Sequence, residues 1–495
     1  MSGTLLIFDV GTTGARSILF DDNGKMLEKS YVEYIQERKL GISEQDPNMW
    51  WNAIKISSND LSKKIGDLSD ILGICVTTHR ASTSFVDKDF NILYPSIGWD
   101  DLRVSSAQEE LMNKQKSAEF VYGAFQRWAI QKVLWFKESF PKKYEKIHKI
   151  IQPDSYFYYK LGDIFATDPT NAAWGILDFN SFKLSEELAE EISIPIDYWV
   201  EVQAPGTIIG ELTSNAAKEL GLKKGIPLIL GGGDQQMSVL GSGSHKNGQA
   251  KISLGTGMFL DVISDSYKTD QAGFIFCHPH LFKKKWILEG PLPGTGTLLN
   301  WYRDNFAVAE KLVAEKKNIS IYDIFDEKAK SVPAGSDGLF ILPVHFEAKG
   351  RIYGWSFYHK NSHFIRAIYE TTALGAQMWL IMIQALLGEK INDIRLVGGG
   401  SNSQVLTQII SDVLQKEVQL MEINEATALG AAILGFIGLD YYKSEEVAIN
   451  KMVRLKNKIQ PDKKNKKVYK KFGQIFLDQM LSVVGKKRIT GKIKI

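Results

Sequence analysis

The sequence predicts an α/β protein built from two related domains, and three observations support that expectation. A strand running into a Gly-Thr turn occurs twice, about half the chain apart: residues 5–10 lead into Gly11-Thr12-Thr13-Gly14, and residues 251–254 into Gly255-Thr256-Gly257. Strand-like and helix-like patterns alternate in both halves. At 495 residues the chain is too long for one hydrophobic core.

The elements follow in order. Residues 5–35 read as strand, turn, strand, turn, strand, with Asp21-Asp22-Asn23-Gly24 as a hairpin signal between apolar runs. Residues 71–77 form a second buried strand, and residues 85–87 lead into a turn around Lys88-Asp89. Residues 104–149 carry an amphipathic helical pattern. Residues 225–230 are a turn and a strand that ends in Gly231-Gly232-Gly233-Asp234. The small, polar stretch from Gly241 to Gly248 is the best domain boundary, dividing the chain into domains 1–243 and 244–495. Residues 365–387 have the length of a long helix, and their most apolar part, 378–387, reads as buried. Residues 395–397 are a strand entering Gly398-Gly399-Gly400-Ser401. The chain shows no short-period repeat.

The composition, 44% hydrophobic and 24% charged, is that of an ordinary soluble globular protein. Two cysteines, Cys75 and Cys277, argue against a disulfide framework and a cysteine metal site, and fit a reducing cytoplasm. The apolar start is interrupted by Asp9 and lacks a basic segment, so it does not read as a secretory signal. No apolar run is long enough to span a bilayer. Residues 451–495 hold 15 Lys/Arg against 2 Asp/Glu, whereas the other 450 residues hold 45 against 55. The acidic body is a poor nucleic-acid binder. In the basic tail, Val468, Tyr469, Phe472, Ile475, Phe476 and Met480 recur at helical spacing, which reads as a docked helix with a solvated basic face.

Glycine turns let backbone N–H groups approach a phosphate closely, and threonine hydroxyls add donors. Two such turns suggest two phosphate-gripping hairpins facing one nucleotide, in an ATP-using enzyme. Asp9 ends the first strand, where a carboxylate can hold Mg²⁺ beside phosphates, with Thr12, Thr13 and Arg16 as phosphate contacts; a solvated Asp in a hairpin is the plainer alternative. Asp234 follows three glycines and can take the proton of an attacking hydroxyl; it can also be a helix N-cap. Gly399, Gly400, Ser401 and Asn402 lie in a turn able to cradle the adenosine end of ATP. The small-residue stretch from Asn424 to Ala432 reads as tight helix packing. Arg80 and Trp99 suit a sugar or polyol through hydrogen bonds and a flat apolar face, whereas Asp101 and Arg103 read as a salt-bridged surface loop. Cys277, His278 and His280 have no partner at zinc-ligand spacing and read as a strand end or loop.

Taken together, the motifs resemble the FGGY family of carbohydrate kinases along nearly the whole chain. The markers are Asp9-Val10-Gly11-Thr12-Thr13, Glu44-Gln45-Asp46-Pro47 with Trp50-Trp51, and Trp99-Asp100-Asp101-Leu102-Arg103. They continue with Thr167-Asp168-Pro169-Thr170-Asn171-Ala172, Gly233-Asp234-Gln235-Gln236, Gly255-Thr256-Gly257, Gly398-Gly399-Gly400 and Ala428-Leu429-Gly430-Ala431-Ala432. The resemblance implies two actin-like, RNase H-like domains with ATP and sugar in the cleft, Mg-ATP as phosphoryl donor and Asp234 as catalytic base. It also implies domain closure that excludes water, with a homodimer left open as an assembly. The family's Lys-x-x-Trp segment is Lys132-Val133-Leu134-Trp135, and the usual small residue upstream is replaced around Arg127-Trp128-Ala129. Arg80, Trp99, Asp234, Gln235 and Phe259 resemble a glycerol kinase pocket. The Glu that follows the Arg in glycerol kinases is Ala81 here, which removes an acceptor and leaves room. The expected substrate is therefore a pentulose or similar sugar or polyol, with glycerol as the alternative. An actin-like ATPase and a catalytically silent sugar-binding regulator are rivals from other classes.

Overall fold

A computed structural model describes residues 3–34, 41–66, 68, 70–104, 127–270, 273–342 and 350–488. The helical pattern read over 105–126 and the last basic residues, 489–495, lie outside the described residues. The chain forms two compact units. The first comprises Met1–His245, Asp265–Ile287 and Glu425–Val453, and the second Lys246–Ser264, Leu288–Asn424 and Arg454–Ile495. Both are discontinuous, where the sequence suggests a single boundary at 243/244.

In the first unit, β1 (Thr4–Val10), β2 (Gly14–Asp21) and β3 (Met26–Glu33) form an antiparallel meander. The hairpin signal is confirmed: Gly24 takes φ +74° and the Asp21 carboxylate accepts from the N–H of Asn23 and Lys25. After the short β4 (Glu44–Gln45), Asp46 caps α1 (Pro47–Ile65) by accepting from Asn48 N, and Pro47 presets the first turn. There follow β5 (Ile71–Thr78), β6 (Thr83–Val86), β7 (Ile92–Ile97), α2 (Trp128–Ser139), β8 (Lys149–Ile151), α3 (Pro153–Gly162), β9 (Ile208–Glu211), β10 (Pro227–Gly233) and α4 (Asp234–Gly241). The main sheet has the order β3-β2-β1-β5-β10-β9, with β1, β5 and β10 parallel. A second sheet runs β4-β7-β6-β8.

The parallel strands read as near-continuous apolar runs because both faces are covered. Leu6, Phe8 and Val10 pack with Trp50, Ile54 and Phe157 on one side. The helix Ala426–Gly438 covers the other, where Gly435 approaches Leu5. That helix is tight against α4, as its small residues suggest: a Cβ on Gly430 would sit 1.9 Å from the Met237 carbonyl oxygen.

The second unit repeats the plan. Its strands are β11 (Gln249–Leu254), β12 (Met258–Ser264), β14 (Trp286–Leu292), β17 (Asp393–Val397), β18 (Val418–Met421) and β19 (Leu455–Ile459); β13 (Phe276–Pro279) belongs to the first unit, and β15 (Phe340–Leu342) and β16 (Arg351–Tyr353) pair separately. Their order is β14-β12-β11-β17-β18-β19. β11 pairs antiparallel with β12 and parallel with β17, as β1 does with β2 and β5. Its helices include α5 (Thr295–Asn305), α6 (Asn361–Leu387), α7 (Gln404–Leu414) and α8 (Lys466–Arg488).

The long helix α6 starts four residues before the pattern predicts. Its end is not fully buried, since Ile381 is exposed. The docked C-terminal helix is present: Tyr469, Phe476 and Met480 are buried, although Ile475 faces solvent. The Tyr469 hydroxyl donates to Glu370, which also accepts from Arg366. No helix among the described residues is long and apolar enough to cross a membrane.

Candidate active site

In the first unit, the first Gly-Thr turn links β1 to β2 and is closed by Gly11 N–H donating to the Gly14 carbonyl at 3.0 Å. It is held from outside. The Gln45 side-chain amide donates to the Thr12 carbonyl at 2.8 Å, and Gln45 in turn accepts from Trp50 Nε1 at 2.9 Å. The Thr13 carbonyl accepts from Tyr34 N–H. The Gln45 and Trp50 markers therefore prop the turn, a role that sequence reasoning missed because it spans two elements.

Asp9 lies at the end of β1 and is almost fully buried. Arg16 Nη1 donates to it at 3.4 Å and reaches Glu425 at 3.7 Å through Nε. Burial pushes the Asp9 carboxyl up to about 6, against the pull of Arg16 and with further upward pressure from Glu425 and Asp234. Asp9 is thus no solvated hairpin residue but a buried carboxylate beside Arg16. Among the described residues no group of three or more His, Cys, Asp or Glu could hold a metal.

Asp234 is the first residue of α4. The N-cap is Gly233, so the capping alternative for Asp234 does not hold. Its carboxylate accepts from Arg80 Nε at 3.2 Å and from the Gln235 backbone N–H at 2.8 Å. Arg80 is buried, with 7% of its side chain exposed against 29% for Asp234. A buried guanidinium therefore steadies a part-exposed carboxylate, whose second oxygen accepts from Gln235 Nε2 at 3.4 Å. Gly233 makes this possible: a Cβ there would lie 2.4 Å from Arg80 Cδ. The glycine run also bends β10. The register against β5 shifts between Ile229 and Gly232, and the buried Tyr158 hydroxyl fills the break, donating to the Ile229 carbonyl and accepting from Gly231 N–H. The Thr170 hydroxyl accepts from Gly233 N–H at 2.8 Å, and Asp168 caps the short helix that carries Thr170.

Trp99 joins this group. Its indole Nε1 donates to the Thr12 hydroxyl at 3.3 Å, and its ring stacks on Trp128. Trp128 meets Trp174 and Phe276, and the Arg80 guanidinium lies 5.2 Å from the Trp174 ring centre. His278, on β13, packs against Trp174; burial, then Arg80 and Arg127, hold it well below the usual histidine range. This aromatic wall was not anticipated, because its members are scattered over 180 residues of sequence. Arg127 is buried and donates to the carbonyls of Gly175 and Leu177. Asp101 corrects the surface-loop expectation. It pairs with Arg103, which also reaches Glu44, but its carboxylate is buried and accepts from Ser43 N–H.

In the second unit, Gly255 N–H donates to the Gly257 carbonyl at 3.1 Å, closing the second Gly-Thr turn as the first is closed. Gly398, at φ +86°, carries the chain past the end of β11, and a Cβ on Gly400 would lie 2.8 Å from Leu254 Cβ. The two glycine turns thus lie together. Ser401 donates to the Gly398 carbonyl and to Asn424, which donates to Asn402. A third segment, Gly294-Thr295-Gly296-Thr297, was passed over although it repeats the Gly-Thr signature. Thr297 N–H donates to the Thr256 carbonyl, and Gly296 approaches Gly255 too closely for a side chain. Phe259 is half-buried on β12 beside Gly257.

Residues 4–241 match the N-terminal domain model of the FGGY family of carbohydrate kinases, and residues 250–439 match its C-terminal domain model. The chain belongs to the FGGY family of carbohydrate kinases. FGGY kinases are phosphotransferases acting on sugar hydroxyls with ATP as donor, and the two units here have their actin-like α/β fold. A gluconokinase of Bacillus subtilis is 26% identical, with 97% of this chain and 96% of the relative covered. An autoinducer-2 kinase of an Enterobacter species is 27% identical over 96% of this chain and 94% of the relative. Among solved structures, a xylulose kinase from Rhodospirillum rubrum is 25% identical with a TM-score of 0.82, covering 98% of this chain and 99% of that one.

Proposed function

We propose that this FGGY kinase transfers the γ-phosphate of ATP to a hydroxyl of a pentulose or similar sugar or polyol, with Asp234 as general base. The observation that carries the reading is the Asp234 carboxylate, part-exposed at the start of α4 and steadied by buried Arg80. Asp234 takes the proton of the attacking hydroxyl as its oxygen bonds to the γ-phosphorus. The bond from phosphorus to the bridging oxygen breaks, and ADP leaves. Arg80, Gln235 and Phe259 contact the sugar, and Trp99 offers a flat face to its C–H surface. Thr12, Thr13 and Arg16 serve the phosphates, while Gly255, Thr256, Gly257, Gly399, Gly400, Ser401 and Asn402 hold the nucleotide.

Asp9 is the residue we assign to Mg²⁺. A buried hard oxygen donor at the end of β1, beside the Gly11–Gly14 turn, suits that ion, which is usually held by one or two carboxylates together with substrate phosphates and water. Bound there, it would neutralise phosphate charge. A content of two cysteines, both buried, supports a cytoplasmic setting.

Ala81 supports a substrate larger than glycerol. It is buried directly after Arg80, and its position offers a methyl group where a carboxylate would bind a hydroxyl. An aldonate is the second reading, favoured by the gluconokinase relative. The test is ADP release with Mg-ATP across xylulose, ribulose, erythritol, glycerol and gluconate, alongside Asp234→Asn. Stimulation by a pentulose or polyol that the substitution abolishes supports the proposal. Stimulation by gluconate or glycerol alone replaces the substrate class, and equal turnover without sugar favours an ATPase.

A further inference from the structure

The turn that delivers Arg80 to Asp234 is strained, and side chains from elsewhere hold it. Ala81 adopts φ +66°, a left-handed conformation that a residue with a Cβ rarely takes. Its N–H donates to Gln152 Oε1 at 3.0 Å, and Gln152 is anchored in turn on the Asn171 carbonyl. Its carbonyl accepts from the Thr83 hydroxyl at 3.2 Å and from Lys132 Nζ. Lys132 is fully buried on α2, an element that shares no sequence neighbourhood with the turn. The charges of Asp100 and Asp101, on the loop that carries Trp99, also act on it, against a burial that pulls its ammonium down to about 7.

We infer that Lys132 is a positioning residue for the phosphoryl acceptor: by holding the Ala81 carbonyl it keeps the strained turn, and so sets Arg80 against Asp234. A strained turn persists only where its surroundings over-determine it. Without Lys132 the Ala81 peptide relaxes toward ordinary backbone, and the guanidinium of Arg80, the residue before it, leaves register. Lys132 reaches no phosphate-binding turn in the first unit through any of these bonds, so the effect falls on the sugar and spares the nucleotide. This inference rests on the kinase reading for its kinetic arm alone.

The test compares wild type, Lys132→Met, and Lys132→Met with Ala81→Gly, since glycine takes the left-handed conformation without cost. Amide hydrogen exchange over residues 79–84 is measured in the free protein, and the KM values for D-xylulose and Mg-ATP in steady-state kinetics. The expected result is exchange at least tenfold faster in Lys132→Met. Its sugar KM rises at least tenfold, the ATP KM stays within twofold, and both changes are largely reversed by Ala81→Gly. Unchanged exchange in Lys132→Met overturns the inference. So does a rise in ATP KM equal to that in sugar KM, or a failure of Ala81→Gly to reverse the effects. If Lys132→Met does not fold alone, the double variant decides: a folded protein with near wild-type exchange supports the inference, and an unfolded or fast-exchanging one overturns it. Wild type that turns over none of the panel sugars defeats the proposed acceptor class, and the exchange result then decides this inference by itself.

Discussion

Arg80 Nε stands 3.2 Å from Asp234 Oδ1, bringing a β5–β6 turn to the first residue of α4 across 154 positions of sequence. The pair is asymmetric, with the cation buried and the carboxylate part-exposed. Such a contact holds one carboxylate oxygen in place, while the second, Oδ2, accepts only a long hydrogen bond of 3.4 Å from the Gln235 side-chain amide.

Replacing Asp234, the proposed base, is the most direct check. Asp234→Asn preserves shape and the contact with Arg80 but cannot take a proton. We expect kcat to fall by about 10²–10⁴, the usual contribution of a general base, with the ATP KM changed by less than twofold. A coupled assay for ADP release reads both.

Arg80→Ala separates binding from chemistry. It removes a charged hydrogen-bond donor, an interaction worth about 1.5–3 kcal/mol, and leaves Asp234 unsteadied. The sugar KM should rise about tenfold or more, and kcat should fall as well. An unchanged sugar KM would remove Arg80 from the acceptor site.

Asp154 gives a pH prediction independent of any ligand. It is buried beside Asp168, and burial pushes its carboxyl up to about 7. The folded chain thus holds a proton that the unfolded chain releases near pH 4. Stability from this group is full below that pH and is lost as pH rises toward 7. Asp154→Asn should flatten the fall, so its thermal midpoint relative to wild type should be higher at pH 8 than at pH 5.

Gly430→Ala tests the packing of the helix Ala426–Gly438 on α4. The added methyl would meet the Met237 carbonyl oxygen at 1.9 Å, and that oxygen belongs to a rigid helix. Overpacking of this kind costs about 1–3 kcal/mol. A thermal melt should show a lower midpoint, with no preferential change in either KM in the protein that remains folded.

The sequence by itself determined the strands, the turns and the chemical vocabulary. Apolar runs closed by Asp21-Asp22-Asn23-Gly24, Gly11-Thr12-Thr13 or Gly231-Gly232-Gly233 are local signals, because backbone freedom and hydrogen-bonding capacity belong to the residues themselves. The positions of Asp9 and Asp234 at strand ends beside glycine turns were legible for the same reason. What those residues touch was decided only by the tertiary structure. Trp128, Trp174, Phe276 and His278 become one wall because β13 folds back onto the first unit, and no local pattern encodes that return. Gly233 is explained by the Arg80 side chain crossing it, Gln45 by the Thr12 carbonyl it holds, and Lys132 by the Ala81 turn. Each of these contacts depends on the packing of separate elements, where burial sets the strength of a charge and a missing Cβ sets the distance of approach.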